Sequence, residues 1–563
     1  MTQPQDPTAL AVQAMIDGDV KRALALTETA QEETSTISLC VRSAALLAAG
    51  DKAGARRARD SALVLHLLPT MAEQGVDVGR MANDGPYALQ VGRQHYNAHQ
   101  MGAATLALGC AMNDPDTILD AVFIKAQAEH YLGRVDEALA SFETMMFFKP
   151  SSNIHSFILY TLFFVEDNVR RQAEEAARYN DRWTPTYAAA ARPLANDPNT
   201  DRKLRIGYMG PTCTTSHASL FIQPLLEHHD LERFEVFTYV LDAEKETPIP
   251  GVQVRGIRHV AYADTAQLIR DDGIDVLVDM HGHAANARPM VLACRAAPVQ
   301  VSWLNWHQTT GLAAMDYVIH CDNIDPPDPS LPMPEQVIRV GPTINGFRPY
   351  EGARSSPCPA LSRGHVTFAS FNHPAKLSDL TVAMWSRILK RVPGAKLHLK
   401  SAGLDQAATQ LEITIRFLAC GVPPDALEFS GFSKGDAYEE AFTHIDLALD
   451  TQPHPGGTTT LDAVARGVPV LVLNGPNFYA QMAVPAMIAM GLDELIAWDW
   501  DEYIDKAVAY ANDIPRLAAL RERVQPAFAA SSLRDEAGFA RRMEEAYLQM
   551  FAAWAVRQAA EAA

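Results

Sequence analysis

The chain has 563 residues, 48% of them hydrophobic, and a formal net charge of −19 with no long basic tract. That length predicts more than one domain, and the apolar share is ample for several cores. The acidic balance argues against nucleic acid or an anionic membrane as the main partner, and it is also common in ordinary soluble proteins.

In chain order, the N-terminus lacks a charged stretch followed by an apolar core, so no signal peptide is expected. The first part is Ala-rich and helical in pattern. Its clearest unit is "AVFIKAQAEHYLGRVDEALASFETMMFFKP", in which Ala126, Gly133 and Ala138 precede Phe142 and Pro150 closes the segment. This spacing predicts two antiparallel helices with small residues where they touch, as in a tetratricopeptide repeat. Gly50 with Ala55 and Ala62, Gly18 with Ala23, and Ala103 with Pro115 echo it. A generic helical bundle would produce similar echoes. The polar stretch "ARPLANDPNTDRK" then reads as a linker.

From Leu204 the texture changes. "LRIGYMG", "FEVFTYVL", "DVLVDMHGH" and "VQVSWLNW" are short β-branched or aromatic runs separated by helical stretches, the pattern of a parallel α/β sheet. A Pro- and Gly-rich break, "GPTINGFRPYEGARSSPCPALSRG", interrupts it. The alternation restarts with "HVTFASF", "KLHLKS", "LEFSGF", "IDLALD" and "PVLVLNG", and an amphipathic helix ends the chain. The expected division is a helical region over 1–185, α/β lobes over 200–355 and 360–530, and a C-terminal helix over 531–563. Two doubly wound lobes with a cleft between them suit a nucleotide-containing substrate, bound beyond the carboxyl ends of the strands. No apolar run approaches membrane-spanning length. Seven cysteines without a C-x-x-C pair fit free thiols in a reducing cytosol. A cytoplasmic protein is expected.

One loop carries more chemistry than the rest. "IDLALD" reads as a strand ending at Asp450, "TQPHPGGTTT" as the loop and "TLDAVARG" as the start of a helix. Gly456 and Gly457 permit close backbone approach. Thr458, Thr459 and Thr460 place hydroxyls and N–H groups at a helix start, where the dipole and free donors favour phosphate. Asp462, in the first turn, is within reach of a ribose hydroxyl. The spacing matches neither G-x-x-x-x-G-K-[ST] nor G-x-G-x-x-G. It describes an ordinary capped helix after a turn equally well.

The same segment resembles the donor-binding loop of the O-GlcNAc transferase and SPINDLY-like glycosyltransferases, whose bacterial members carry G-G-T-T-T here. "LRIGYMG", "PLLEHHDLERFEVFTY", "DVLVDMHGHAANARPMVLACRAAPVQVSW", "TTGLAAMDYVI", "ASFNHPAKLSDLTVAMWSRILKRVPGAKLHLKS" and "AMGLDELIA" resemble further family blocks in family order. "HSFILYTLFF" and "YNDRW" resemble the junction between repeats and catalytic lobes. The resemblance runs from about Ser151 to Met550. It implies a GT-B fold, with two Rossmann-like lobes behind a tetratricopeptide-like repeat domain. It further implies an acceptor-side first lobe, a nucleotide sugar in the second, no metal or other cofactor, and inverting transfer to protein Ser or Thr.

By that resemblance Lys376, in "FNHPAKLSD", contacts the donor diphosphate, where an ammonium stabilises the charge that builds as the sugar leaves. Asn372 and His373 precede it on the donor side, and His373 is equally a turn residue. Gly456, Gly457, Thr458, Thr459 and Thr460 receive the diphosphate, and Asp462 the ribose. Tyr438 falls where relatives place a ring against the base, and is equally an ordinary helix residue. His283 matches a histidine of bacterial relatives near the acceptor cleft. His281 beside it makes an H-x-H pair that lacks a third metal ligand. Two stretches depart from the family. Its "DFRRH" histidine is replaced in "GPTCTTSHASLFIQP", where counting back from "QPLL" puts Ser216 at that position and His217 one residue later. Either the loop shifts so that His217 serves as the base, a role suited to imidazole, or the base role is lost; His217 is the expected base. The family's "GYPGTTG" becomes "NWHQTTG", bringing Trp306 and His307 to the acceptor side.

The expectation is therefore a protein O-glycosyltransferase whose helical repeats bind the acceptor protein, with UDP-GlcNAc as the family's usual donor. A flagellin glycosyltransferase using a CMP-nonulosonic acid, a GDP-fucose enzyme and an inactive repeat adaptor are the alternatives. Removing the residues before about Asp197 is expected to abolish protein modification and spare donor hydrolysis.

Overall fold

A computed structural model of the chain describes residues 6–29, 35–166, 168–477 and 479–562. From Pro7 to Ala188 the described backbone consists of helices joined by turns, each packed on its neighbours in sequence. The hairpin expected from the small-residue pattern joins the helices Ile118–Tyr131 and Val135–Phe148. Ala126, Ala138 and Phe142 are fully buried between them. The alanines let the axes approach, and Phe142 fills the remaining space by stacking on Phe157 of the following helix, Ser152–Leu162, at 5.2 Å between centroids. Gly133 makes the turn with φ 80°, a region that costs other residues about 1–2 kcal/mol.

Two parallel sheets follow. The first contains β1 (Leu204–Met209), β2 (Phe234–Val240), β3 (Val252–Gly256), β4 (Val276–Asp279), β5 (Val299–Ser302), β6 (Tyr317–His320) and β7 (Gln336–Arg339), in the order β3-β2-β1-β4-β5-β6-β7. The second contains β8 (Thr367–Ser370), β9 (Lys396–Lys400), β10 (Leu427–Ser430), β11 (Leu447–Leu449), β12 (Val470–Leu473) and β13 (Ile496–Ala497), in the order β10-β9-β8-β11-β12-β13. Every residue of β4, β5, β8 and β12 is buried, so these strands show no in-out alternation, and β12 and most of β4 read as apolar runs. The half-exposed edge strands β3 and β7 and the two-residue β13 escape a reading based on buried runs. β5 stops at Ser302, before the aromatic end of "VQVSWLNW". Leu304 then takes φ 82° and turns the chain away.

Each sheet reverses its winding once, between β1 and β4 and between β8 and β11. At such a point successive connections leave on opposite faces, and a crevice opens outside the carboxyl ends of the strands. The C-terminal helix Glu536–Ala562 crosses back to the first lobe. Tyr547 meets Tyr208 of β1 at 3.0 Å between hydroxyls, and Glu544 Oε1 lies 2.9 Å from His229 Nδ1. The helical region packs on the second lobe along the helix Ala407–Ala419. Ile415 and Leu418 enter its apolar core, and Arg134 donates to Glu412 at 2.7 Å in a buried ion pair. Among the described residues no helix is long and apolar enough to cross a membrane. All seven cysteines are unpaired.

Candidate active site

The second lobe's crevice is bounded by the turn after β8 and the loop after β11. Asn372 is buried on the first of these. Its Oδ1 accepts from Thr459 Oγ1 at 2.9 Å and lies 3.4 Å from Lys376 Nζ, tying the turn to the helix start across the crevice. Lys376 closes the tight turn Pro374–Lys376 and donates to the Pro455 carbonyl at 2.8 Å. Burial pushes its ammonium down to about 8, against the opposing pull of the Asp450 carboxylate.

Asp450 shapes the loop. Its Oδ1 accepts from the N–H of Thr451 at 2.9 Å and of Gly456 at 2.6 Å. Its Oδ2 is buried without a hydrogen-bond partner, and burial lifts the carboxyl to about 6. A Cβ on Gly456 would stand 2.3 Å from Thr460 Oγ1, so the loop closes this tightly only with glycine. Gly457 is exposed, with open space around it. It is the N-cap of the helix Thr458–Ala465, and no side chain caps that end. The first-turn N–H groups and the positive end of the dipole therefore face the crevice uncovered, beside the Lys376 ammonium. Such an arrangement holds an anion of phosphate type.

Asp462 is the fifth residue of this helix, two residues further in than expected, because the helix starts at Thr458 rather than Thr460. Its Oδ2 accepts from Tyr438 Oη at 2.8 Å and its Oδ1 from Arg466 at 3.1 Å. Arg466 is fully buried and also donates to Glu439 at 2.8 Å. Burial raises the Asp462 carboxyl, and Arg466 opposes the rise. Tyr438 braces this carboxylate, with its ring edge-on to Phe442 at 5.1 Å.

Facing this group from the first lobe is His217, exposed on the loop after β1, with Ser216 half-buried beside it. Its Nδ1 lies 2.9 Å from Tyr350 Oη, in the segment between the lobes. Asp462 senses the charge of His217, and Tyr350 senses Asp462 and Arg466, so these groups share the cleft. Glu246 anchors the loop by accepting from the N–H groups of Cys213 and Thr214 at 3.0 and 2.8 Å.

The remaining candidates lie against the helical region. His283 is buried, with Nδ1 3.2 Å from Ser156 Oγ and Nε2 2.8 Å from the Thr310 carbonyl. The carbonyl requires Nε2 to carry the proton, so Ser156 donates to Nδ1 and both nitrogens are engaged. Burial pushes this imidazole down to about 4. Trp306 is fully buried, 4.4 Å from Phe163 and 5.0 Å from His283 between ring centroids. His307 is half-buried, its ring 6.5 Å from Tyr479 of the second lobe. His373 accepts from the Ala375 N–H at 3.1 Å and stands edge-on to Tyr131 at 4.1 Å. His281 sits apart from His283, with Nδ1 3.1 Å from the Met280 carbonyl. Among the described residues no three His, Cys, Asp or Glu side chains gather as a metal cluster.

The structure thus brings together Asn372, Lys376 and Gly456–Thr460, with Tyr438 and Asp462 one turn away and His217 opposite. It adds Asp450, Tyr350 and Arg466, which motif reading does not single out. Asp450 carries a signal in retrospect, an acid ending a buried apolar strand. Tyr350 lies in a linker and carries none.

Comparison with known proteins bears on this arrangement. The sequence model described as glycosyl transferase family 41 matches residues 150–332 and 358–543. The chain is 32% identical over 362 residues to a protein of Solanum lycopersicum named probable UDP-N-acetylglucosamine–peptide N-acetylglucosaminyltransferase SPINDLY, covering 62% of this chain and 39% of that one. It is 26% identical over 367 residues to the Arabidopsis thaliana protein named probable UDP-N-acetylglucosamine–peptide N-acetylglucosaminyltransferase SEC, covering 62% and 37%. The chain spans about two fifths of the length of these relatives. The solved structure of a mutant Thermobaculum terrenum O-GlcNAc transferase shares its fold, with TM-score 0.78 and 24% identity, over 99% of this chain and 100% of that one.

Proposed function

The chain belongs to glycosyl transferase family 41, and we propose that it transfers a sugar from a nucleotide-sugar donor to a Ser or Thr hydroxyl of an acceptor protein. The names of its relatives favour UDP-N-acetylglucosamine as the donor. The observation that carries the reading is the Lys376 ammonium beside the uncapped start of the helix Thr458–Ala465, at the winding reversal of the second sheet.

The acceptor oxygen attacks the anomeric carbon while the bond from that carbon to the diphosphate oxygen breaks. The bonding pair leaves with the nucleotide diphosphate, and one in-line displacement inverts the centre. Lys376 and the first-turn N–H groups take up the charge on the leaving group, so the step draws on no metal ion. Preorganised donors of this kind are worth about 10²–10³ in rate each. Asp462, one turn along the helix, is the proposed ribose partner, through a carboxylate that Tyr438 and Arg466 hold in place. The acceptor proton passes to His217. For that, Nδ1 must donate to the Tyr350 oxygen and leave the Nε2 lone pair open. The helical region supplies the acceptor-binding surface.

Calorimetric titration with UDP, GDP and CMP tests the reading, with Lys376→Ala as the control. Binding of UDP that disappears in the variant is the expected result. Binding of CMP alone would move the donor to the nonulosonic acid class. Binding of none would overturn the enzyme reading in favour of an adaptor.

A further inference from the structure

The helical region touches both loops of the donor crevice. On one side, the Tyr131 ring packs on His373, and its hydroxyl donates to the Ala402 carbonyl at 3.3 Å. A Cβ on Gly133 would stand 2.9 Å from the Pro374 carbonyl, so the hairpin turn rests directly on the backbone that leads to Lys376. On the other side, Phe164 packs on His454 in the loop after β11, with centroids 4.6 Å apart. Its neighbour Phe163 lies 4.4 Å from Tyr479 and 4.4 Å from Trp306, wedged between the two lobes. Both phenylalanines are buried. The two loops meet each other at the Lys376–Pro455 hydrogen bond. His373 stands three residues before Lys376, and His454 immediately before Pro455.

A loop with two adjacent glycines and no side-chain cap has little of its own to hold one shape, and ordering it on binding weakens affinity. Here the ordering comes from two sides, and within the lobe Thr451 Oγ1 also donates to the His454 carbonyl at 2.7 Å and Thr381 Oγ1 to the Gln452 carbonyl at 2.8 Å. Asp450 grips the loop from within the second lobe, and Phe164 presses on it from the helical region. We propose that the helical region is a working part of the donor site, with Tyr131 and Phe164 as positioning residues for the loops that carry Lys376 and Gly456. This rests on the donor reading above. It replaces the sequence-based expectation that the lobes keep donor hydrolysis once the helical region is removed.

The test uses the full chain, with UDP as probe in calorimetry and thermal unfolding in parallel. Phe164→Ala is expected to raise the Kd for UDP about tenfold, equivalent to about 1.4 kcal/mol. Phe164→Leu, which conserves volume, is expected to stay within about twofold of the unaltered chain. Tyr131→Ala acts on the other loop and is expected to weaken UDP binding comparably, which keeps the test decisive if Phe164→Ala does not fold. Phe148→Ala, at an exposed end of the same hairpin, should leave the Kd unchanged. Variants that melt earlier yet bind UDP like the unaltered chain would overturn the proposal, because the contacts would then be structural only. If the unaltered chain binds neither UDP, GDP nor CMP, the donor reading itself falls, and this proposal with it.

Discussion

The two lobes share one winding order yet use their reversal points differently. In the second lobe the loops leave polar groups open: an uncapped helix start, an ammonium held by the Pro455 carbonyl and the Asn372 side-chain oxygen, a glycine in open space. In the first lobe much of the equivalent ground is filled. His283 and Trp306 follow β4 and β5, and the helical region covers them with Ser156, Tyr179 and Phe163. The loop after β1 stays open, and it presents His217. The lesson is that a winding reversal makes a crevice, but packing decides which crevice keeps its polar groups free for a ligand.

The largest expected effect belongs to the second lobe. Lys376→Ala should lower the rate of transfer about 10²–10³-fold in steady-state assays. A rate unchanged by that variant would remove the contrast altogether. His217→Ala comes next, with a loss of about 10²-fold in kcat and little change in nucleotide affinity. A loss confined to affinity would make it a binding residue.

Within the loop itself, Gly456→Ala should weaken UDP binding about tenfold or more, since its Cβ would stand 2.3 Å from Thr460 Oγ1. Gly457→Ala meets nothing within 4 Å and should cost little. Equal losses would mean that flexibility, not close packing, is what the glycines supply.

The pH profile sharpens the point further. The Lys376 pKa is lowered to about 8, so its charge is present below that value and lost above it. kcat/KM for the donor should hold through neutral pH and fall as pH rises through about 8, approaching tenfold per unit. That alkaline limb should be absent from Lys376→Ala. On the first-lobe side, His283→Ala should lower stability by about 1–3 kcal/mol in denaturant unfolding while leaving UDP binding intact, because it removes a buried, doubly hydrogen-bonded ring. Intact stability with lost transfer would instead place His283 at the acceptor.

Much of this was readable in the residue order. Short β-branched, aromatic and apolar runs marked β4, β8 and β12, because strands covered on both faces need no alternating polar side. The Gly-Gly-Thr-Thr-Thr stretch marked a tight loop and a helix start, because glycine conformations and helix-start donors are properties of a few consecutive residues, and it left an anion site and an ordinary capped helix equally open. Lys376, Asn372 and Thr459 needed only the family block and the loop to be named together. By itself, then, the sequence determined the two-lobed α/β fold, the helical region before it and the tight loop at Gly456–Thr460, since each follows from local periodicity or local backbone chemistry. Only the tertiary structure decided the rest. His283 and Trp306 look like site residues in a motif, and are buried by side chains more than a hundred positions away. Tyr350 has no motif at all, Asp450 only an acid at the end of a buried strand, and Tyr131 and Phe164 reach the loops of Lys376 and Gly456 from another part of the chain. Their roles come from contacts across long sequence separations, which residue order does not display.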